Sequence, residues 1–411
     1  MKQKNMLNIL FITLLDMRSV DEHNLYSDLM REFARHGHNV YIVSPIERRY
    51  GQPTQLLEDK TDELRQRVHI LKLRSGNIQK TNLVEKGVST LLLENQLVRG
   101  IKKYFSSVHF DLVLFSTPPI TLLKPVSYIK KRYNARAYLM LKDIFPQNAV
   151  DLGMMKEGGL LHRYFRAKEK RLYEISDRIG CMSPANVAYV LRHNPEIPGD
   201  KVELCPNSIE VREYQPVSED EKQLLRKWYG LPADKRVFVY GGNLGKPQDV
   251  PFIIRCLEAC RDIPEAFFLI VGSGTDYPLL ENYVKERKPA HVMLLPSMPE
   301  EEYDRMLLCC DVGLIFLDHR FTIPNFPSRL LSYMQAGLPV LACTDRNTDI
   351  GKVIVEGGFG WWCESDDSIG FAQKVDNVVM SDTRSKGLKA KEYLIRNYSA
   401  ETCSNIINVH L

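Results

Sequence analysis

At 411 residues the chain is too long for one ordinary core, so two domains are expected. Hydrophobic content of 44% and charged content of 26% are globular values, and no run of eighteen apolar residues occurs that would form a membrane-spanning helix. The formal net charge of +4 is uneven: 32 Lys+Arg face 22 Asp+Glu through Cys205, whereas 23 face 29 beyond it.

A basic first half and an acidic second half direct any anionic partner to the first half alone. Membrane phospholipid, a lipid-phosphate acceptor and nucleic acid are the candidates; a solvated basic face reads the same. No nucleic-acid motif or basic-aromatic stripe accompanies the charge, so no nucleic-acid partner is expected. The segment Met6 to Leu15 has the length of a signal peptide, but it runs straight into Asp16 and Arg18 and fits a first buried strand better. The nine cysteines are scattered without a Cys-x-x-Cys pair, which suits reduced thiols in a cytoplasm and argues against a zinc site.

In chain order, Leu7–Leu15 reads as a strand and Asn24–His36 as an amphipathic helix stopped by Gly37. Strands follow at 39–44 and Val68–Leu73, then a helix at Lys86–Phe105 with Leu91, Leu92, Leu97, Val98 and Ile101 on one side. Asp111–Ser116 is a strand ending in Thr117-Pro118-Pro119, and Ala135–Leu141 is a strand meeting Lys142-Asp143. Leu160–Ser176 is a long basic helix, Arg178–Met182 a strand, Ser183-Pro184 a helix start, and Val202–Cys205 a strand.

A second series begins near Arg236. Val237–Tyr240 runs into Gly241-Gly242-Asn243-Leu244-Gly245, followed by a helix at Pro251–Cys260 and a strand at Ala266–Val271 closed by Gly272-Ser273-Gly274. Tyr277–Arg287 is a helix, His291–Leu295 a strand, Glu300–Cys310 a helix and Asp311–Leu317 a strand. Strands alternating with helices predict parallel sheets, and two series predict an α/β chain of two doubly wound Rossmann-like domains facing across a cleft. The boundaries expected are 1–208, 209–387 and a helical tail at 388–411 packing back on the first domain. The join lies in the polar stretch Ile209 to Lys235.

The stretch Asn325 to Ala342 reads as loop, short helix, glycine stop and buried strand. Ser328 is placed to cap the helix, Arg329 lies in its first turn, and Gly337 fits the stop. A cation at a helix start opposes the helix dipole, so an anion there would relieve a local cost. An ordinary helix-to-strand connection has the same pattern. Asp349 is either a ligand contact or the cap of the following helix, and the cap fits slightly better.

The residues in register carry a family likeness. Gly37-His38-Asn39-Val40, Ser183 with Pro206-Asn207-Ser208-Ile209, Gly241 to Lys246, Leu269 to Gly274, and Pro327 to Pro339 together resemble the family-4 retaining glycosyltransferases of the GT-B fold over nearly the whole length. Leu141 to Gln147 and Pro327-Ser328-Arg329 are most similar to a subgroup, the WbuB-like N-acetyl-fucosamine (amino-deoxy sugar) transferases of O-antigen and capsule synthesis. The chain departs from the wider family at Pro324 and Ser332, where two glutamates are usual, and at Asn243, where an arginine usually binds diphosphate. Asp143 stands roughly where many relatives carry a histidine.

The resemblance implies a UDP-sugar donor, an undecaprenyl-diphosphate-linked saccharide acceptor and a peripheral place on the cytoplasmic face of a bacterial plasma membrane. A leaving diphosphate must have its charge met, and without a metal the task falls to cations and backbone N–H groups. No Asp-x-Asp flanked by strand-like residues appears, so no metal or other cofactor is expected. The candidate catalytic residues are Asp143, Lys246 and Arg329. Nucleotide-sugar contacts are expected from Gly242, Asn243, Lys246, Leu295, Asn325, Ser328, Arg329 and Ser332. Lys130, Lys131, Arg163 and Arg166, with the helix Lys86–Phe105, suit an acceptor or membrane surface. The alternatives are a non-catalytic scaffold of a polysaccharide assembly complex and a sugar-nucleotide epimerase on the same fold.

Overall fold

The computed structural model describes residues 6–78, 83–213 and 217–410, the side chains of 83, 84, 86–88, 90 and 91 excepted. The chain divides into two compact units: Met1–Glu210 with Ser399–Leu411, and Val211–Tyr398. The tail expected from residue 388 is shared between them. The helix Thr383–Asn397 packs on the helix Arg329–Gln335 in the second unit, and the helix Ala400–Asn408 packs on Leu25–Arg35 in the first.

The first unit is an eight-stranded sheet built from β1 (Asn8–Ile12), β2 (Asn39–Glu47), β3 (Gln55–Glu58), β4 (Val68–Ser75), β5 (Leu112–Thr117), β6 (Arg136–Leu141), β7 (Arg178–Cys181) and β8 (Val202–Leu204), in the order β3-β4-β2-β1-β5-β6-β7-β8. Every described pairing is parallel except β3 with β4. The central strands are buried on both faces and read as unbroken apolar runs, Ile9-Leu10-Phe11-Ile12 and Leu112-Val113-Leu114-Phe115. Strand order reverses between β1 and β5, where crossovers leave in opposite directions and a crevice opens at the carboxyl ends.

The second unit repeats the plan with six strands: β9 (Arg236–Asn243), β10 (Ala266–Ser273), β11 (Val292–Pro296), β12 (Val312–Phe316), β13 (Val340–Thr344) and β14 (Gly360–Glu364), in the order β11-β10-β9-β12-β13-β14. All its described pairings are parallel, and the reversal falls between β9 and β12. One core runs from Phe238 and Tyr240 through Phe252, Phe268 and Phe316 to Phe371 and Val375.

The join placed at Ile209 to Lys235 contains a helix, Glu219–Tyr229. Ser218 and Glu221 form a reciprocal capping box at its start, and Gly230 ends it at φ 70°. Its inner face is tied down by charge, not by an apolar stripe. Buried Arg226 donates to Asp311 at 2.6 Å, and Lys222 reaches the same carboxylate at 2.7 Å. Composition alone therefore reads it as a connector.

The helix Leu83–Tyr104 corrects another expectation. Its residues Leu93, Leu97 and Ile101 are fully buried. The apolar side that suggested a membrane face is part of the first unit's core; Leu92, half-exposed at 51%, points away from it. The side chains of Leu91 and Lys86 lie outside the described residues.

Candidate active site

The glycine run at the end of β9 has a steric cause. Gly242 lies at φ 125°, a conformation L side chains rarely adopt, and a Cβ there would stand 3.5 Å from the Arg329 guanidinium carbon and both terminal nitrogens. A Cβ on Gly241 would collide with the Tyr303 ring, and one on Gly272 with the Gly242 carbonyl. The ends of β9 and β10 thus approach so closely that only glycine fits. Register continues the edge outward: Gly241 pairs with Val271 and Val271 with Leu295, so Leu295 stands two strands from the glycine run, about 10 Å away at ordinary strand spacing.

Arg329 is brought to this edge by the helix Arg329–Gln335, which follows β12 across the reversal point. Its guanidinium lies 4.4 Å from the centroid of the Tyr240 ring, a cation–π contact at the end of β9. Its Nη1 is buried and has no hydrogen-bond partner among the described residues. The helix is anchored by buried Tyr333, whose hydroxyl donates to the Leu314 carbonyl and accepts from the Gly241 N–H, both at 3.1 Å. Gly337 ends it at φ 69°, with Leu338 N–H returning to the Tyr333 carbonyl in a Schellman closure. The glycine stop is as the sequence suggests.

The cap at its start is not. Ser328 is exposed, has helical φ −63° and ψ −22°, and makes no side-chain capping bond; Pro327 already accepts from Leu330 N–H, so the turn begins before Ser328. Asp349, expected to cap the next helix, likewise makes no side-chain capping bond there. Ser332 is half-buried in the second half-turn. Asn325, in the loop before the helix, donates its N–H to Thr348 Oγ1 at 3.0 Å, while its buried Nδ2 has no partner among the described residues.

The loop after β9 is held by a side chain that sequence reasoning passed over. Gln248 Oε1 accepts from Asn243 Nδ2 at 2.9 Å and from Gly245 N–H at 3.3 Å, and the Tyr240 hydroxyl donates to the Asn243 carbonyl at 2.6 Å. Lys246 opens the short turn Lys246–Gln248; it is exposed and forms no ion pair with a described residue. Asp345 is occupied with its own turn, accepting from Asn347 N–H, Thr348 N–H and Thr348 Oγ1, and burial pushes its carboxyl up to about 6. Asp318 is fully buried and pairs with Arg320.

In the first unit, Asp143 lies just beyond the carboxyl end of β6. Burial pushes its carboxyl up to about 6, against hydrogen bonds from the Ile144 N–H and from Asn148 Nδ2, the latter at 2.6 Å. The Thr117 hydroxyl donates to the Asp143 carbonyl at 3.1 Å and so ties the ends of β5 and β6 together. A carboxyl poised near neutrality at a strand end is suited to holding or moving a proton.

The basic residues expected to form an acceptor or membrane surface separate. Lys130 donates to both Asp177 oxygens at 2.7 Å and to the Ile175 carbonyl at 2.8 Å. Asp177 directly precedes β7, so this pair marks the amino edge of the sheet, opposite to Asp143. It borders a cavity of about 400 Å³ lined also by Arg136, Tyr138, Arg178 and His410. Arg166 is bound to Glu169, the His193 carbonyl and Asn194 at 2.6–2.9 Å. Neither Lys130 nor Arg166 is a free cation. Lys131 and Arg163 are exposed and form no ion pair with a described residue.

Residues 221–397 match the family model described as Glycosyl transferases group 1. The probable glycosyltransferase WbjE of Pseudomonas aeruginosa is 25% identical over 316 residues, covering 74% of this chain and 77% of that protein. The putative colanic acid biosynthesis glycosyl transferase WcaI of Escherichia coli is 23% identical over 242 residues, 58% of this chain and 57% of its own. Among solved structures, sucrose-phosphate synthase from Thermosynechococcus elongatus matches with a TM-score of 0.74 at 16% identity, covering 98% of each chain. HepE of Anabaena, solved in complex with UDP and glucose, matches with a TM-score of 0.70 at 14% identity over 98% of this chain and 99% of that one.

The chain is a glycosyltransferase, and its two parallel-sheet units are those of the GT-B fold. Over residues 221–397 its second unit is similar to the glycosyl transferases group 1, and the relatives it resembles include a protein named for colanic acid biosynthesis.

Proposed function

We propose that this enzyme transfers an amino-deoxy sugar, such as N-acetyl-fucosamine, from UDP to a lipid-linked saccharide, with retention of anomeric configuration, in O-antigen or capsule synthesis. The observation that carries the reading is the Arg329 guanidinium. It sits at the reversal point of the second sheet, against Gly242, with a buried nitrogen that lacks a partner among the described residues. A buried N–H without an acceptor costs about 1–3 kcal/mol, and more when charged, so the position is explained when an anion completes it.

In this reading the diphosphate lies across the end of β9. As the bond from the anomeric carbon to the β-phosphate oxygen breaks, charge grows on that oxygen, and Arg329 receives it. Exposed Lys246 closes on the same anion, and the N–H groups of Gly242 and Asn243 add neutral donors. Groups at the ends of β10 and β11, near Leu295, face the base. Ser332 and Asn325 meet ribose or sugar hydroxyls. Ser328, freed from a capping role, offers a hydroxyl at the same helix start. Asp143 holds the acceptor hydroxyl and takes up its proton. No residue in this scheme calls for a metal ion, and the acceptor's lipid chain places the reaction at the cytoplasmic face of the membrane.

Thermal unfolding with UDP, GDP and their sugar conjugates in the presence of EDTA tests the reading. A ligand that binds only the folded state raises its stability. A saturable rise with UDP species in EDTA is expected. No shift with any nucleotide, or a shift that EDTA removes, overturns the metal-independent diphosphate site.

A further inference from the structure

The helix Leu160–Ile175 turns an unusual face outward. Leu160 is 88% exposed, Leu161 57% and Tyr164 43%, and Met154, just ahead of the helix, is 62% exposed. Four large apolar side chains exposed within eleven residues are not the scatter of single surface hydrophobes that a folded domain tolerates. Helical spacing stacks Leu160, Tyr164 and Ala167 on one line, while Leu172 and Tyr173, with buried Glu169, point to the core. Between Met154 and Arg171 there are six Lys+Arg and two Glu. Glu169 is consumed by Arg166, and Lys170 by Glu196, which leaves Lys156, Arg163, Lys168 and Arg171 around the apolar line. The Lys168 ammonium lies over the Tyr164 ring, 5.8 Å from its centroid, so its charge borders the apolar line. The unit as a whole carries 32 Lys+Arg against 24 Asp+Glu.

We infer that this face, Met154, Leu160, Leu161 and Tyr164 ringed by Arg163 and Lys168, seats the first unit on an anionic lipid bilayer. Apolar side chains enter the acyl boundary and the cations meet lipid phosphates, the two contributions that hold an interfacial helix. A protein partner would need a matching acidic surface, whereas the mix of leucine, methionine, tyrosine and flanking cations fits a bilayer without further matching. The inference deepens the lipid-linked acceptor reading and rests on it for its purpose. Phe165, on the flank of the helix, packs on Phe145 with ring centroids 5.0 Å apart, two residues from Asp143. The helix that bears the seated face therefore packs on the segment that follows Asp143, so a lipid-anchored acceptor would approach Asp143 from the side of the helix that holds its anchor.

The test is co-flotation of the full chain with vesicles of equal parts phosphatidylglycerol and phosphatidylcholine, and with pure phosphatidylcholine vesicles. The protein is expected to float with the anionic vesicles and to be released by high salt. Leu160→Ser with Leu161→Ser is expected to weaken partition about tenfold or more, since both exposed leucines lose their apolar transfer into the acyl boundary. The thermal unfolding midpoint and the UDP-induced shift of this variant are expected to be unchanged, because both side chains are exposed. Partition equal to wild type in the double variant, or no flotation of the wild type, overturns the inference. Flotation lost in the variant with no nucleotide shift in either protein supports the bilayer seat while overturning the functional reading.

Discussion

Arg329 sets function against stability within one side chain. Its guanidinium is placed over Tyr240 with a buried nitrogen unpaired, and it forms no ion pair with a carboxylate among the described residues. Replacing it with methionine removes that cost while keeping the bulk over the ring. Arg329→Met is expected to leave the ligand-free second unit as stable or more stable by about 1 kcal/mol, and to weaken UDP binding about tenfold to a hundredfold, the worth of a charge-assisted hydrogen bond. Calorimetric titration and thermal unfolding of the same preparation read both quantities. A destabilised variant that still binds UDP normally would place Arg329 in the scaffold. Asp143 gives a second residue-scale prediction, in pH. Its folded-state value of about 6 lies above the ordinary 3.8, so the neutral form is favoured by the fold. Its contribution to stability is complete below about pH 4 and is lost as pH rises through about 6. Asp345 shifts in the same direction, so the informative quantity is the stability of wild type relative to Asp143→Asn, which should fall as pH rises across that window. Turnover should rise through about pH 6 in the wild type as the carboxylate forms, and Asp143→Asn should lose the rise. A turnover profile unchanged by the substitution would deny Asp143 its role in the proton path.

The loop between β9 and the following helix is held by one acceptor shared between two donors. Gln248 Oε1 takes the Asn243 side chain and the Gly245 N–H, and a leucine at 248 would leave both without it. Gln248→Leu is expected to cost the second unit about 1–3 kcal/mol and to weaken UDP binding although Gln248 has no assigned contact with the nucleotide. A conservative Gln248→Glu should restore part of the binding, because a carboxylate still accepts from both donors; a glutamate no better than leucine would point to lost packing instead. This element also shows what a sequence can and cannot disclose. The strands and their order of appearance are legible because buried parallel strands write unbroken apolar runs, as in Val237 to Tyr240. The glycine run is legible because close backbone approach admits no other residue. The Arg329 helix and its Gly337 stop are legible for the same local reasons. Gln248 is not, because its role depends on two donors in a turn with no periodicity. The Ser328 cap fails because a turn at Pro327 starts the helix one residue earlier than composition suggests. The helix Glu219–Tyr229 is hidden because Asp311, far along the chain, supplies its anchor. Lys130 and Arg166 look free in sequence for the same reason: Asp177 and Asn194 are neighbours only in the fold.

At the scale of the whole molecule the chain passes between its units twice, after Glu210 and after Tyr398. The first unit is completed by the last helix, Ala400–Asn408, whose Cys403 and Ile407 are buried in the core that holds Ile9, Phe11, Leu29 and Phe33. A core closed by a segment nearly two hundred residues away makes its stability depend on one late helix. Arg136 and Glu203 add polar ties to His410 at the same end. Ile407→Ala leaves a cavity with little freedom to collapse between a helix and a sheet, and it should cost the first unit about 2–5 kcal/mol. The second unit shares none of that core, so its own transition should stay where it was. Two units with separate cores need not unfold in one step. Calorimetric unfolding of Ile407→Ala is therefore expected to show the first unit melting earlier and the second unchanged. UDP should raise only the second transition, because Gly242 and Arg329 both lie in that unit. If one transition moves as a whole with Ile407→Ala, and UDP moves it by the same route, the two cores are energetically a single body. The division drawn from contacts would then describe geometry alone.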